Sequence, residues 1–344
     1  MRKDAKVATR IEVANIQDYH NGCWNSGEAY AYDGFKSNKA FASDRANPVK
    51  IVVENGVEVM YAVRKDGELI PLSHIGIEFE TECKGVLNRR VYAEILKRSL
   101  FPLFPDDLFK MQHDGSLGYD IDYWNCDSSD DFEQEVDRQC VGIECITQPM
   151  SKQFIRNHYK DFKAMYDDLF PALGISCSES GRCGMHVNVS NSLFGKTRKQ
   201  QVEAIRKLHY FINRYFVFCC KLFKRDPEET GYCGQMYYDN AKTMSISGGG
   251  HGSSMNYTHF DAGRIEIRLV GGQENFNTFR NTMEAVFFLI GRMRTIAWEE
   301  LDDFSKVFKG CNQYVYRRLK YCGLNSITLE KIFNTVKEED LELI

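Results

Sequence analysis

The chain has 344 residues, with 44 lysines and arginines against 48 aspartates and glutamates, and a formal net charge of -4. A weakly acidic protein has no overall positive field, so we expect no nucleic-acid partner. The longest apolar runs are short and interrupted, so we expect no membrane-spanning segment. The length suits one large domain with an appendage, or two domains.

Cysteine usage indicates the compartment. The chain has 12 cysteines, but no two have the C-x-x-C spacing of zinc ribbons and thioredoxin-like proteins. Cys219 and Cys220 are adjacent in an apolar, helix-like segment, which suits buried thiols better than a disulfide framework. Met1–Arg10 is polar and lacks the apolar core of a secretory signal. We therefore expect reduced thiols and a cytoplasmic protein.

Residues 1–73 form the first predicted region, a small β-rich extension. Residues 51–54 and 57–64 are strand-like and flank Asn55-Gly56, a dipeptide typical of tight hairpin turns. A second turn signal at residues 65–68 precedes a short apolar segment. The pattern predicts strands but indicates no task for this extension.

Residues 74–300 form the second predicted region, in which short strand-like and longer helix-like segments are mixed. The strand-like segments are 75–81, 142–147, 184–189 and 264–270, and the helix-like segments are 90–100, 151–170, 198–224 and 278–298. Without a strict βαβ rhythm, this pattern predicts an α+β domain with a curved, largely antiparallel sheet and helices on one face. Residues 301–344 read as a C-terminal tail of two or three short helices.

Polar side chains alternate with apolar ones in the predicted strands. Because successive side chains of a strand point to opposite faces, the apolar residues would pack on helices and the polar ones would share the other face. That face would present Glu78, Glu80, Glu144, His186, Asn188, Arg264, Glu266 and Arg268. Clustered carboxylates repel unless cations lie among them, and carboxylates with one imidazole suit Mg2+ or Mn2+. The plainer alternative is a solvated sheet face with alternating charges.

The ordered motifs resemble the amidoligase family, whose relatives are glutamate-cysteine ligase and glutamine synthetase. They are Gly76–Glu80, Asp114–Ser116, Glu144–Pro149, Gly184–Val189 and Glu266–Arg268, and the resemblance covers residues 74–300. It implies a glutamine synthetase-like fold and a ligase that uses ATP and Mg2+ (or Mn2+). Such an enzyme joins a small-molecule or peptide carboxylate to an amine, through an acyl phosphate, in an amide or isopeptide bond. The identities of both substrates and the oligomeric state are not indicated by the sequence.

The resemblance also implies roles for single residues. The implied metal ligands are Glu78, Glu80, Asp114, Glu144, His186 and Glu266. Arg268, with Glu266, would act on the transferred phosphoryl group, and Arg225, Arg264 and Asn256 would contact the nucleotide. Two features depart from the family pattern: Asn188 stands where a second histidine is common, and the Glu144 motif has one extra residue before its proline.

Two other functions remain open at this point. One is a phosphotransferase of the same fold that stops after phosphorylating its substrate. The other is a non-catalytic binding or assembly protein that retains the fold, an alternative kept open by Asn188 and the unexplained extension. ADP release that requires an amine would exclude the first, and failure to bind Mg-ATP would favour the second.

Two loops also have alternative interpretations. Residues 190–197 nearly match a phosphate-binding P-loop, but Ser190 replaces the first glycine, so we expect a plain loop with a helix start at Thr197. Residues 248–254 are rich in glycine and should form a mobile loop at the mouth of the site. That loop would either cover the substrate or serve as a connector.

Overall fold

The computed structural model describes residues 39–42, 46–54, 57–63, 66–84, 89–105, 107–112, 117, 140–177, 183–228, 230–250 and 252–336. Helices and antiparallel sheets are mixed within these ranges, which confirms the α+β prediction at that level. In the same ranges, no helix has the length and apolar character needed to cross a lipid bilayer.

The N-terminal part of the described chain forms a four-stranded antiparallel sheet. Its strands are β1 (Lys39–Phe41), β2 (Ala46–Glu54), β3 (Val57–Val63) and β4 (Leu69–Pro71), in the order β1-β2-β3-β4. Glu54 pairs with Val57, as the predicted hairpin requires, although its two turn residues lie outside the described ranges. The described part of the extension is therefore β-rich, as predicted.

A seven-stranded antiparallel sheet follows. Its strands are β5 (Ile75–Lys84), β6 (Phe109–Gln112), β7 (Cys140–Thr147), β8 (Ile175–Ser176), β9 (Met185–Ser190), β10 (Met255–Asn256) and β11 (Arg264–Ile267). The order is β10-β11-β9-β5-β7-β6, and β8 pairs with β5. The four strands predicted from the sequence are present. β11 ends earlier than predicted because the chain then bonds elsewhere: Arg268 N–H donates to the Ser254 carbonyl and the Val270 carbonyl accepts from Met185 N–H.

The helices lie where apolar residues recur at helical spacing. Their bounds are α1 (Arg89–Leu100), α2 (Lys152–Asn157), α3 (Tyr159–Lys163), α4 (Phe170–Leu173), α5 (Arg198–Arg214), α6 (Phe216–Leu222), α7 (Phe276–Met293), α8 (Phe304–Val307), α9 (Gln313–Leu319) and α10 (Ser326–Phe333). A π-helical turn, Ala164–Leu169, joins α3 to α4. The long helix predicted over 198–224 is broken at Tyr215, which leaves the helical region with φ -112° and ψ 44°.

The beginning of α5 decides the interpretation of the P-loop-like segment. The Thr197 side chain accepts from Gln200 N–H, and the Gln200 side chain accepts from Thr197 N–H, so the two form a capping box. The preceding residues Asn191–Phe194 form one 3-10 turn. The segment is thus a short turn followed by a capped helix, as the plainer interpretation predicted.

The helices cover one face of the large sheet. Phe79 of β5 is buried, and its ring centroid lies 6.5 Å from Phe162, 6.4 Å from Tyr166 and 6.0 Å from Phe279. These three aromatic residues belong to α3, the π-helical turn and α7. Because Glu78 points away from this packed face, the opposite face of the sheet is left for a polar site.

Backbone hydrogen bonds join the two sheets. Phe41 N–H donates to the Pro149 carbonyl at 2.8 Å, and Ser151 N–H donates to the Phe41 carbonyl at 2.7 Å. Lys39 N–H also donates to Oε1 of Gln148 at 2.5 Å. β1 therefore docks beside the segment that follows β7, which brings the small sheet next to the polar face of the large one.

Candidate functional site

Strand register brings the predicted polar residues onto one face. Glu78 of β5 is paired with His186 of β9, and Glu80 of β5 is paired with Glu144 of β7. On the other side of β9, Glu266 of β11 is paired with Asn188. Directly paired residues have side chains on the same side of a sheet, so the polar groups of four strands share one surface.

Three of these side chains form a compact cluster. One ligand atom each from Glu78, His186 and Glu266 lies within 4.8 Å of the other two. The His186 Nδ1 atom is 3.2 Å from Oε2 of Glu78 and 3.4 Å from Oε1 of Glu266. Its other ring nitrogen, Nε2, is 3.4 Å from Oε1 of Glu80. His186 therefore lies among three carboxylates.

Neighbouring side chains fix the orientation of the cluster. Asn188 Nδ2 donates to Oε1 of Glu78 at 2.6 Å, and Asn256 Nδ2 donates to Oε2 of Glu266 at 3.0 Å. Arg268 Nη1 donates to Oε1 of Glu266 at 2.6 Å. Such hydrogen bonds hold ligand carboxylates in place around a metal. Asn188 thus supports Glu78.

Glu80 occupies the end of the polar face near Gly184. The Gly184 backbone N–H donates to Oε2 of Glu80. A Cβ atom at position 184 would lie 2.9 Å from that same oxygen and 2.5 Å from Nη2 of Arg225. The absence of a side chain at residue 184 therefore leaves room for both Glu80 and Arg225 beside this position.

Glu144 extends the carboxylate group towards β7. It is buried, and its side chain contributes to holding the pKa of Glu78 below its usual value. The remaining predicted ligand, Asp114, lies outside the described residues.

The electrostatics of the cluster favour positive charge. Burial alone would raise the pKa of Glu78, but hydrogen bonding and charge from His186 and a hydrogen bond from Asn188 hold that pKa below its usual value. Burial alone would lower the pKa of His186, and the Glu78 and Glu80 carboxylates instead raise it. The surroundings thus stabilise an imidazolium cation, which indicates a negative local potential.

The cluster lies on the wall of a cavity of about 1160 Å³. Arg264, Asn256 and Arg268 line this cavity as well, so two of the three predicted nucleotide contacts lie beside the carboxylates. Burial lowers the pKa of Arg264, while Glu78 and Glu266 oppose that effect. We call this space the acidic cavity.

Arg225, the third predicted nucleotide contact, lines a different cavity of about 730 Å³. Arg225 is 9% exposed and its Nη2 donates to the Val270 carbonyl at 3.1 Å. We call this second space the basic cavity, because five lysines and arginines line it: Lys221, Lys224, Arg225, Arg317 and Arg318. Arg225 therefore belongs to a wall separate from that of Arg264 and Asn256.

Several lining residues of the acidic cavity were missed in the sequence. They come from both sheets and the linker between them: Lys39, Val49, Tyr61, Leu72, His74, Lys110, Gln112 and Gln148. In β6, Lys110 and Gln112 alternate with Phe109 and Met111, so a period of two could have revealed that strand. No sequence pattern indicates that residues of the small sheet line this cavity, because their position depends on how β1 packs beside the segment after β7.

The glycine-rich segment 248–254 lacks regular structure, as predicted, apart from His251, which is not described. Gly248 and Gly249 have φ of 74° and 76°, a region that favours glycine. Gly252 accepts from Gly234 N–H, and Gly250 lines the acidic cavity together with Tyr232. The segment therefore lies beside the predicted site.

The chemistry of the acidic cavity follows from its donors. Carboxylate oxygens and one imidazole nitrogen are a ligand set that Mg2+ and Mn2+ accept. The charged groups Arg264 and Arg268 beside them suit the oxygens of phosphate. The residues present thus fit a divalent metal and a phosphoryl group at one place.

Comparisons with known proteins add no assignment. No protein-family model matches this sequence, and no curated protein is significantly similar to it. The resemblance to amidoligases therefore depends on the sequence motifs of this chain alone.

Proposed function

We propose that the protein is an ATP- and Mg2+-dependent carboxylate-amine ligase that forms an amide or isopeptide bond. The observation that carries this proposal is the Glu78–His186–Glu266 cluster, within 4.8 Å, beside Arg268 in a cavity of about 1160 Å³. A solvated sheet face would leave such charges exposed, whereas Glu266 and His186 are 8% and 5% exposed. The glutamine synthetase-like fold belongs to the same proposal, which the antiparallel sheet supports.

In the proposed reaction, an oxygen of the substrate carboxylate bonds to the γ-phosphorus of ATP as the bond to ADP breaks. The amine nitrogen then bonds to the acyl carbon, the carbon–oxygen bond to phosphate breaks, and the nitrogen loses a proton. Divalent metal, when bound, would neutralise phosphate charge during this transfer. Glu78, His186 and Glu266 are the residues that would hold it, with Glu80 and Glu144 alongside.

Residues of this chain contribute in three further ways. Arg268, which is buried and hydrogen-bonded to Glu266, supplies a preorganised positive charge for the transferred phosphoryl group. Asn188 and Asn256 hold the carboxylates of Glu78 and Glu266 in place. Val49 of the small sheet and Leu72, just after that sheet, add apolar surface, which helps to exclude water from a hydrolysable acyl phosphate.

Product analysis tests this proposal. The wild-type protein is incubated with Mg-ATP and pools of carboxylates and amines, and ADP, inorganic phosphate and coupled product are measured. A ligase releases ADP and phosphate in equal amounts, requires the amine, and yields a product with a new C–N bond. ADP without phosphate would instead indicate the phosphotransferase, because the phosphoryl group stays on the product. Binding of no nucleotide by a folded protein would contradict both enzymes and favour a binding or assembly role.

A further inference from the structure

The basic cavity is the second large concave site in the described part of the chain. It has a volume of about 730 Å³, and its lining includes five basic residues but only two acidic ones, Asp226 and Glu274. The basic residues come from three places in the chain. Lys221 lies in the last turn of α6, Lys224 and Arg225 follow that helix, and Arg317 and Arg318 lie on α9.

Ion pairing neutralises little of this charge. Lys224 Nζ lies 3.4 Å from Oε1 of Glu274. Within the described ranges, no ion pair shorter than 4.0 Å joins a carboxylate to Lys221, Arg225, Arg317 or Arg318. The cavity therefore has a net positive potential, which concentrates anions.

Arg225 points to a ligand more specifically. Its side chain is nine-tenths buried, and its Nη2 atom donates a hydrogen bond to the Val270 carbonyl. Its Nε atom is buried and has no hydrogen-bond partner among the residues that the structure describes. A buried guanidinium donor without an acceptor is uncommon in native proteins, and a bound anion would supply that acceptor.

The backbone around Arg225 is closely packed. A Cβ atom on Gly271 would lie 2.1 Å from the Lys224 carbonyl oxygen, and one on Gly272 would lie 1.4 Å from the Cys177 carbonyl oxygen. Lys224 itself has φ of 62°, in the left-handed region that side chains other than glycine seldom adopt. Gly271 thus lets the chain pack against the residues that follow α6, while Gly272 lets it pack against Cys177; the first contact fixes the position of the backbone at Arg225.

Two further features define the size and kind of ligand. The first turn of α7 contributes Asn277 and Thr278 to the wall, where the positive end of the helix dipole favours anions. Tyr321, 75% exposed, lies on the same lining. Charges spread over such a space suit several linked anionic groups better than a single carboxylate.

We propose that the basic cavity binds a polyphosphate chain, either free or as part of a nucleotide. Guanidinium groups match phosphate oxygens in geometry, and ammonium groups add point charges. The inference does not depend on the ligase activity, because no residue of the Glu78–His186–Glu266 cluster lines this cavity. Polyphosphate would bind here through these basic side chains, without divalent metal.

The test is calorimetric titration of inorganic triphosphate into the full chain in the presence of a chelator. The double variant Lys221→Gln/Arg317→Gln removes two exposed charges, and its fold is checked by circular dichroism. Lys160→Gln/Lys199→Gln is the matched control, since both lysines are exposed and line neither cavity. We expect binding by the wild type, a loss of about tenfold or more in the first double variant, and no change in the control.

Further titrations separate the acidic from the basic cavity. Glu78→Gln should bind triphosphate in chelator as the wild type does. Equal affinity in the wild type and the Lys221→Gln/Arg317→Gln variant, or no binding by either, would overturn the proposal. ATP that displaces triphosphate without metal would identify the nucleotide as the source of the polyphosphate. Triphosphate binding that ATP does not displace would identify a free polyphosphate or another phosphorylated effector.

Discussion

The acidic and basic cavities differ in how they are built: only the acidic cavity contains the Glu78–His186–Glu266 cluster. The acidic cavity carries its carboxylates on paired strands of one sheet, with Glu78 opposite His186 and Glu266 opposite Asn188. The basic cavity carries its cations on helix ends and a tight connection, where Lys221 and Arg225 flank a left-handed residue, Lys224. Gly184 lies beside side chains from both regions: a Cβ there would lie 2.9 Å from Oε2 of Glu80 and 2.5 Å from Nη2 of Arg225.

This difference in construction suits the two ligands. A metal ion requires ligand atoms fixed within a few tenths of an ångström, and the hydrogen-bonded register of a sheet provides that precision. A polyphosphate chain bends and is held by charge over a longer range, so side chains on helix ends are sufficient. The following predictions test whether the two cavities are independent and where they are coupled.

The largest effect should come from Arg268, the cation within the acidic cavity. Arg268→Gln should lower the rate of ADP formation by about 10²–10³-fold, because a preorganised charge for the phosphoryl group is lost. Triphosphate binding in chelator should be unchanged. Arg294→Gln, at an exposed position that lines neither cavity, is the control. A rate within threefold of wild type would remove Arg268 from the chemistry.

Glu266 should have the next largest effect, on metal affinity. Glu266→Gln removes one anionic ligand beside His186, and Mn2+ affinity by calorimetry should fall about 100-fold, at the upper end of what supporting residues cost. The exposed Glu299, changed to Gln, is a matched control. Unchanged Mn2+ affinity in Glu266→Gln would show that the cluster is not the metal site.

Glu284 is a buried carboxylate outside both cavities, and its oxygens already accept hydrogen bonds from neighbouring side chains. Arg156 Nε and Nη2 donate to it at 2.7 and 2.6 Å, Tyr159 donates at 2.7 Å, and Asn312 donates at 2.9 Å. Glu284→Gln should therefore lower the free energy of unfolding by about 2 kcal/mol, by breaking a largely buried ion pair.

The stabilisation by Glu284 should depend on pH. Burial alone would raise its pKa, but the hydrogen bond and charge from Arg156 and the charge of Lys152 hold it below the ordinary value of 4.5. A lowered folded-state pKa stabilises the protein above the unfolded value, and that stabilisation is lost as the pH falls through the folded one. Urea unfolding should thus show a difference between wild type and Glu284→Gln at pH 7 that shrinks below about pH 4. A constant difference would contradict this account.

The smallest effect is expected at Gly184, which lies beside both Glu80 and Arg225. Gly184→Ala should reduce stability by about 1–2 kcal/mol, because its Cβ would press on Glu80 and Arg225. The substitution should also weaken both Mn2+ binding and triphosphate binding, whereas each substitution within a single cavity should weaken the binding of only one of these ligands. Gly231→Ala is the matched control, since a Cβ there meets nothing within 4 Å. Full retention of both affinities in Gly184→Ala would show that the cavities are not coupled there.

The sequence predicted the acidic cavity better than the basic one for a physical reason. Alternation in a strand is local, so Glu78 and Glu266 could be assigned to one face from their own neighbours. The strands, the antiparallel pairing and the helix start at Thr197 were predictable in the same way. The contact between Glu78 and His186, however, depends on the pairing of β5 with β9. Alternation does not predict that pairing, and the prediction depended on the assumption that these strands share one sheet.

The remaining features depend on contacts between distant segments. Arg225 and Arg317 share a wall only because α9 packs against the end of α6, where Arg318 Nε donates to the Leu222 carbonyl at 3.1 Å. Lys39 reaches the acidic cavity only because β1 docks beside Gln148. No local pattern encodes such docking, so the basic cavity and the small-sheet wall were missed, and Arg225 was grouped with Arg264.

The most direct test of the central claim is calorimetric titration of ATP into wild type and Glu78→Gln, with Mg2+ and with chelator. The claim is that the acidic cavity holds the metal required for phosphoryl transfer. We predict that Mg2+ strengthens ATP binding by the wild type and that Glu78→Gln loses this gain while staying folded. Equal Mg2+ dependence in both proteins would contradict the claim, because the metal would then act without the Glu78–His186–Glu266 cluster.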